Sequence, residues 1–396
     1  MLRKSHLLIM VIVLILLGQT SHAEVKNVIL MIGDGMGFEH VKAASFYAYG
    51  KEKKLSFEKY YRGEVTTHSA NSYRQDYHAT DSGASATAMA TGEKVDNTVI
   101  SERSRQPLKT ILEYLQEKGK ATGLVTTVPI THSTPAGFGA HSRNKESYSN
   151  IADDYMTQTR PNLLFGAYFK NGRGMTAEKA KQGGYVVATT RQELLDMVSP
   201  IDENSTEVFY LAGLFCPEEM PYEYDYYYKK IPIPLDETET VPDYDTIPHL
   251  SEMTSAALKV LDNDSDGFFL MVESGKIDKA AHDNIIERNI YETLEFDRAF
   301  RAVMKWAKDR DDTVIIVTAD HECGGLKVVK NRGWGSMPDV FWGSGFKGVS
   351  DHTGVNVPIY AIGEGAREFV GVIDNTDIFK IILKLTGNTS GAASEQ

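Results

Sequence analysis

The chain has 396 residues, 42% of them hydrophobic, and a formal net charge of −12. That length is enough to bury a large core, in one big α/β unit or in two or three domains. The acidic balance, with no Lys/Arg stripe interleaved with aromatics, excludes a general nucleic-acid binder; it also repels anions at long range, so any anion site must be positive locally.

Residues 1–23 place Arg3 and Lys4 ahead of an apolar run, Leu7 to Leu17, and end in the small-residue segment Ser21 to Ala23. This pattern reads as a secretory signal cut before Glu24, and the run is short for a membrane span. The expected mature protein is periplasmic or secreted, with no stable membrane anchor. Cys216 and Cys323 are the two cysteines of the chain. Export permits them one disulfide, and two buried free thiols are the equal alternative.

Asn27–Ile32 (NVILMI) is apolar without alternation, which suits a strand buried on both faces. It runs into Gly33-Asp34-Gly35-Met36-Gly37, a turn that lets backbone approach a ligand and sets Asp34 at a strand's carboxyl end. In 76–92, DYHATDSGASATAMATG, Asp81 precedes Ser82 and an Ala-rich run that starts a helix at or just after the serine. A helix N-terminus suits an anionic substrate. Leu108–Lys118 has helical periodicity and Gly119 stops it. The strand Ala121–Thr127 leads to His132, Thr134, His141 and Arg143. A helix around Tyr148–Thr159, a strand at Asn162–Phe165, helices at Ala177–Gln182 and Arg191–Val198 and a strand at Tyr185–Ala188 follow. Residues 216–250, dense in Pro and Tyr, read as an irregular surface excursion. Leu250–Leu261 is a helix, and Gly267–Val272 is a strand that ends at Glu273. Asp278 and His282 are four apart, on one face if helical. Glu292–Lys308 is a long helix, Thr313–Thr318 a strand ending in Asp320 and His321, and 327–350 a Gly/Trp-rich insertion. His352 precedes the strand Val357–Ile362.

Strands that alternate with helices predict an α/β fold, a mostly parallel sheet covered on both faces. Asp34, Glu273, Asp320, His321 and, just beyond a fourth strand, His132 then share one sheet edge, joined by Asp278, His282 and His352. Taken singly, each has an ordinary structural reading. Together, mixed His and carboxylate ligands suit zinc, and a carboxylate–hydroxyl set suits magnesium. Two such cations clamp the attacking and leaving oxygens of a phosphoryl transfer.

The motifs NVILMIGDGMG, TDSGASATAMATG, THSTPAGFGAHSR, VESGKIDKAAHDN, TADHECGG and HTG, in that order, make the chain resemble the alkaline phosphatase family over nearly all of residues 27–385. The resemblance implies a three-layer sandwich and one catalytic domain at 24–387, with insertions at about 216–250 and 327–350 and a disordered tail at 388–396. It implies hydrolysis of small phosphomonoesters through a phosphoserine at Ser82. Asp278, His282 and His352 would hold one zinc, which takes the leaving oxygen and activates water. Asp34, Asp320 and His321 would hold a second zinc, which deprotonates Ser82 and is ligated by it. Asp34, Thr134 and Glu273 would hold magnesium. Arg143 would fork onto the phosphate, with Asp81, His132 and Lys279 as phosphate-side neighbours. His132 stands where some members have Asp and Lys279 where others have His or Trp, which leaves the third metal's identity open. His141, Glu322 and Cys323 read as structural neighbours. The family also implies a homodimer, to which the short 327–350 insertion would add only a small crown.

Within the same metalloenzyme superfamily a phosphodiesterase, sulfatase or phosphomutase is the alternative; the nucleophile region lacks the C/S-x-P-x-R that sulfatases need. A secreted phosphate- or metal-binding protein is the non-catalytic one, and it would need no nucleophile at Ser82.

Overall fold

A computed structural model describes residues 25–72, 79–202, 205–228, 244–344 and 351–387. The expected signal at 1–23, the expected tail at 388–396 and part of each expected insertion lie outside the described residues.

Ten strands form one sheet: β1 Asn27–Gly33, β2 Tyr61–Thr66, β3 Ala121–Pro129, β4 Leu163–Tyr168, β5 Val186–Ala188, β6 Leu211–Pro217, β7 Phe268–Ser274, β8 Thr313–Thr318, β9 Val357–Gly363 and β10 Gly371–Asp374. Their order across the sheet is β10-β2-β9-β8-β1-β7-β3-β4-β6-β5. β9 is antiparallel to both of its neighbours, β8 and β2, while the other pairings are parallel. The central strands lack alternation because helices cover both faces; every residue of β1, β3, β7 and β8 is buried.

Register sets the site. Ile32 pairs with Thr318 on one side and Glu273 on the other, and Glu273 pairs with Thr126. The carboxyl ends of β8, β1, β7 and β3 therefore finish level, and the loops that follow them share one edge. The Ser82–Thr91 helix is buried along all ten residues and packs against the Ser133–Gly139 helix. A Cβ on Gly137 would stand 2.6 Å from the Ala86 Cβ, so small residues on both sides permit this crossing.

Several elements went unread in the sequence: β2, β6, β10 and the helices Phe38–Tyr49, Ser133–Gly139 and Asn375–Leu385. The helix expected at Leu108–Lys118 is only Ile111–Gln116, because Thr110 caps it: the Glu113 side chain accepts from Thr110 N at 2.8 Å, and Thr110 Oγ1 accepts from Glu113 N at 3.3 Å. The helix expected from Glu292 starts earlier and spans Ile286–Trp306. The 327–350 insertion contains a hairpin, Leu326–Lys330 against Asp339–Trp342. Within 216–250, Glu223–Tyr228 is helical. Cys216 and Cys323 are both free and buried, the thiol alternative of the two left open. Among the described residues, no helix is long and apolar enough to cross a membrane.

Candidate active site

At the end of β1, Gly35 has φ +72° and donates its N–H to Asp320 Oδ1 at 3.1 Å. A Cβ there would lie 2.9 Å from the Asp278 Cα, so the turn meets the Lys276–His282 helix backbone to backbone. Ser82 opens its helix after Asp81, whose Oδ1 accepts from Ala84 N at 2.9 Å. Ser85 Oγ donates to the Asp320 carbonyl at 2.7 Å, which ties that helix to the end of β8.

Two groups of ligand-type atoms result. Asp34, Asp320 and His321 form the first, with His321 Nε2 lying 3.4 Å from Asp34 Oδ1 and 3.2 Å from Asp320 Oδ2. Ser82 Oγ is 3.1 Å from the same nitrogen. Asp278, His282 and His352 form the second, with the two Nε2 atoms 3.1 Å apart and Asp278 oxygens 3.3 and 3.5 Å from them. The Cys323 Sγ falls within this group too, closer than its sequence reading as a structural neighbour implied. Burial pushes the Cys323 thiol up, and Asp278 adds to this. Glu273 accepts from Thr126 Oγ1, a partner that sequence reasoning missed because Thr126 lies inside β3.

The donor set fits cations on two grounds. Asp34 Oδ1 and Oδ2, Asp278 Oδ1, Asp320 Oδ2, Glu273 Oε1 and Thr134 Oγ1 are all buried and carry no hydrogen bond. The carboxylates also repel one another: burial and then Asp320 and Asp278 hold Asp34 well above the ordinary range. Burial with Asp278 raises Asp320 to about 6, and burial with Asp320 raises Glu273 to about 7. A dication at this edge would remove that repulsion. Asp278 goes the other way; burial opposes it, but three histidines hold it low.

His132 caps the Ser133–Gly139 helix, and burial, with Lys279 and Lys145 adding, pushes its imidazole down to about 3. The Lys279 ammonium is 3.7 Å from Glu219, which also binds Lys276 at 2.6 Å. Arg143 departs from its expected place. Its side chain is 65% exposed and its Nε lies 3.8 Å from Glu102, in a surface hollow with Val99, Ser104 and Arg105. The fold brings Lys145 instead to Asp81, with Nζ 2.8 Å from Oδ2.

The sheet, its helix cover and an edge of clustered carboxylates and imidazoles define an α/β protein with candidate cation sites at its strand ends. The family model for alkaline phosphatase matches residues 25–341. Alkaline phosphatase 3 of Bacillus subtilis is 31% identical, covering 91% of this chain and 89% of its own length. Alkaline phosphatase H of Pseudomonas aeruginosa is 32% identical, at 91% and 84% coverage. The solved alkaline phosphatase of the Antarctic bacterium TAB5 is 29% identical with a TM-score of 0.74, covering 93% of this chain and all of that one. The chain belongs to the alkaline phosphatase family, whose members depend on metals.

Proposed function

We propose that this chain hydrolyses phosphate monoesters to an alcohol and inorganic phosphate through a phosphoserine at Ser82. The observation that carries the reading is the 3.1 Å approach of Ser82 Oγ to His321 Nε2, at a buried helix N-terminus beside both ligand groups. Asp34, Asp320 and His321, with Ser82, are suited to one zinc, Asp278, His282 and His352 to another, and Asp34, Thr134 and Glu273 to magnesium. Bound there, the cations would lower the serine hydroxyl's pKa and neutralise charge that develops on the phosphoryl group.

The chain's own residues do the rest. Ser82 Oγ attacks phosphorus, the ester P–O bond breaks, and the alcohol leaves with a proton. Water then cleaves the Oγ–P bond, phosphate departs, and the Ser82 hydroxyl is restored. The helix end faces the phosphoryl oxygens with its positive pole. Lys279, anchored by Glu219, and His132 supply donors on the phosphate side.

Export, read from residues 1–23, and pairing into a homodimer, carried from the family resemblance, belong to the same reading. The test is parallel hydrolysis of a chromogenic phosphomonoester, phosphodiester and sulfate ester, with and without chelator. Monoester turnover that chelator abolishes, and zinc with magnesium restores, is the expected result. Preference for the diester points to a phosphodiesterase, and phosphate binding without turnover to a binding protein.

A further inference from the structure

Asp81 does more than cap a helix. While Oδ1 takes Ala84 N, Oδ2 accepts from Thr98 N at 2.8 Å and from Lys145 Nζ at 2.8 Å. The backbone fixes this pairing. Ile100 and Ser142 exchange hydrogen bonds at 2.7 and 2.8 Å, and Lys145 N donates to Thr98 O at 2.7 Å. Residues 142–145 thus run along 98–100, and 98–100 runs past Asp81. The Lys145 side chain is 28% exposed, so the ammonium is held but still open to solvent.

We propose that Lys145, clamped by Asp81 one residue before the nucleophile, is the cation that grips the substrate and product phosphate in this chain. The inference rests on the phosphatase reading above and replaces the role expected of Arg143. An ammonium has three rotatable donors; Asp81 takes one and leaves the others for phosphate oxygens. It meets the phosphate as a compact point charge, where a guanidinium would hold two oxygens in one plane. The product is therefore gripped less firmly than an arginine at this place would grip it. Asp81 is a positioning residue here, because it aims the ammonium without meeting the substrate.

The test uses the zinc- and magnesium-loaded protein and inorganic phosphate as probe. Phosphate affinity is read by calorimetry, and inhibition of phosphomonoester turnover by phosphate is read alongside it. Lys145→Ala should weaken phosphate binding and raise KM together, by about 10- to 100-fold, the range for a lost hydrogen bond to a charged group. Arg143→Ala should leave both within about twofold, as for an exposed ion pair. Lys145→Arg should tighten phosphate binding and sharpen product inhibition, a gain that a merely structural lysine would not give. Weaker binding in Arg143→Ala with unchanged binding in Lys145→Ala overturns the proposal. If the wild type binds phosphate but hydrolyses no monoester, the phosphatase reading fails, while loss of binding in Lys145→Ala still upholds Lys145. If the wild type binds no phosphate, both are overturned.

Discussion

The imidazoles of His321 and His352 lie face to face, with centroids 3.6 Å apart and planes 21° from parallel, although each belongs to a different ligand group. The stack makes one ring a wall of the other's site. His352 is fixed in turn by its Nδ1, 2.9 Å from the Thr80 carbonyl. We predict that His352→Ala loses about one equivalent of zinc and more activity than the roughly 10- to 100-fold that outer groups of a metal site typically cost. Elemental analysis and turnover check this; wild-type metal content and activity in the variant would contradict the ligand assignment.

A second prediction concerns Gly35. Its φ of +72° and the 2.9 Å gap to the Asp278 Cα leave no place for a methyl group. Gly35→Ala should cost about 1–2 kcal/mol in left-handed backbone strain. Because the atom in the way is backbone of a ligand residue, zinc affinity should fall as well. Thermal unfolding and a zinc titration measure the two effects, and an unchanged midpoint with unchanged affinity would refute the close approach.

His132 and Lys279 set a third. Changing His132→Asp adds a carboxylate two residues before Thr134, which favours magnesium over a softer ion. Magnesium activation of that variant should saturate at lower concentration. Lys279→Ala should weaken phosphate inhibition. Superimposable magnesium curves, with unchanged inhibition in Lys279→Ala, would leave both residues structural.

Away from the site, His249 Nδ1 lies 2.8 Å from Glu223 Oε1. Burial lowers its pKa, but Glu223, then Glu295 and Glu252, outweigh this and raise it to about 9. Burial, with Glu295, also holds Glu223 above the ordinary range, although His249 and Arg298 oppose the rise. A folded-state pKa above the unfolded 6.5 means that the pair's stabilisation is complete below pH 6.5 and lost as pH rises through about 9. The difference in unfolding midpoint between wild type and His249→Gln should therefore shrink across that window. A difference that is constant with pH would rule out the charge pair.

Much of the candidate site was legible because its acidic residues end apolar strands. Asp34, Glu273 and Asp320 each follow a run buried on both faces, and a run of that kind declares both its strand and its end. β2 was missed because it does not: its outer residues Tyr61, Arg62, Glu64 and Thr66 are exposed or half-buried, and Gly63 and Val65 alone are buried. Thr126 was missed because one hydroxyl inside a buried strand looks like any other β-branched residue. Lys145 depended on tertiary pairing. The run Ser142-Arg143-Asn144-Lys145 offers two cations, and only the alignment of 142–145 with 98–100 decides which one reaches Asp81. Cys323 entered a ligand group through the pairing of Glu322–Cys323 with His352–Thr353, a contact across the sheet edge that no local pattern encodes.

The most direct measurement of the central claim is a covalent trap at Ser82. Zinc- and magnesium-loaded protein is incubated with labelled inorganic phosphate, quenched in acid, digested and mapped by mass spectrometry. Label on Ser82 in the wild type, and neither label nor turnover in Ser82→Ala, is the predicted result. Label at another residue, or full activity in Ser82→Ala, would contradict it.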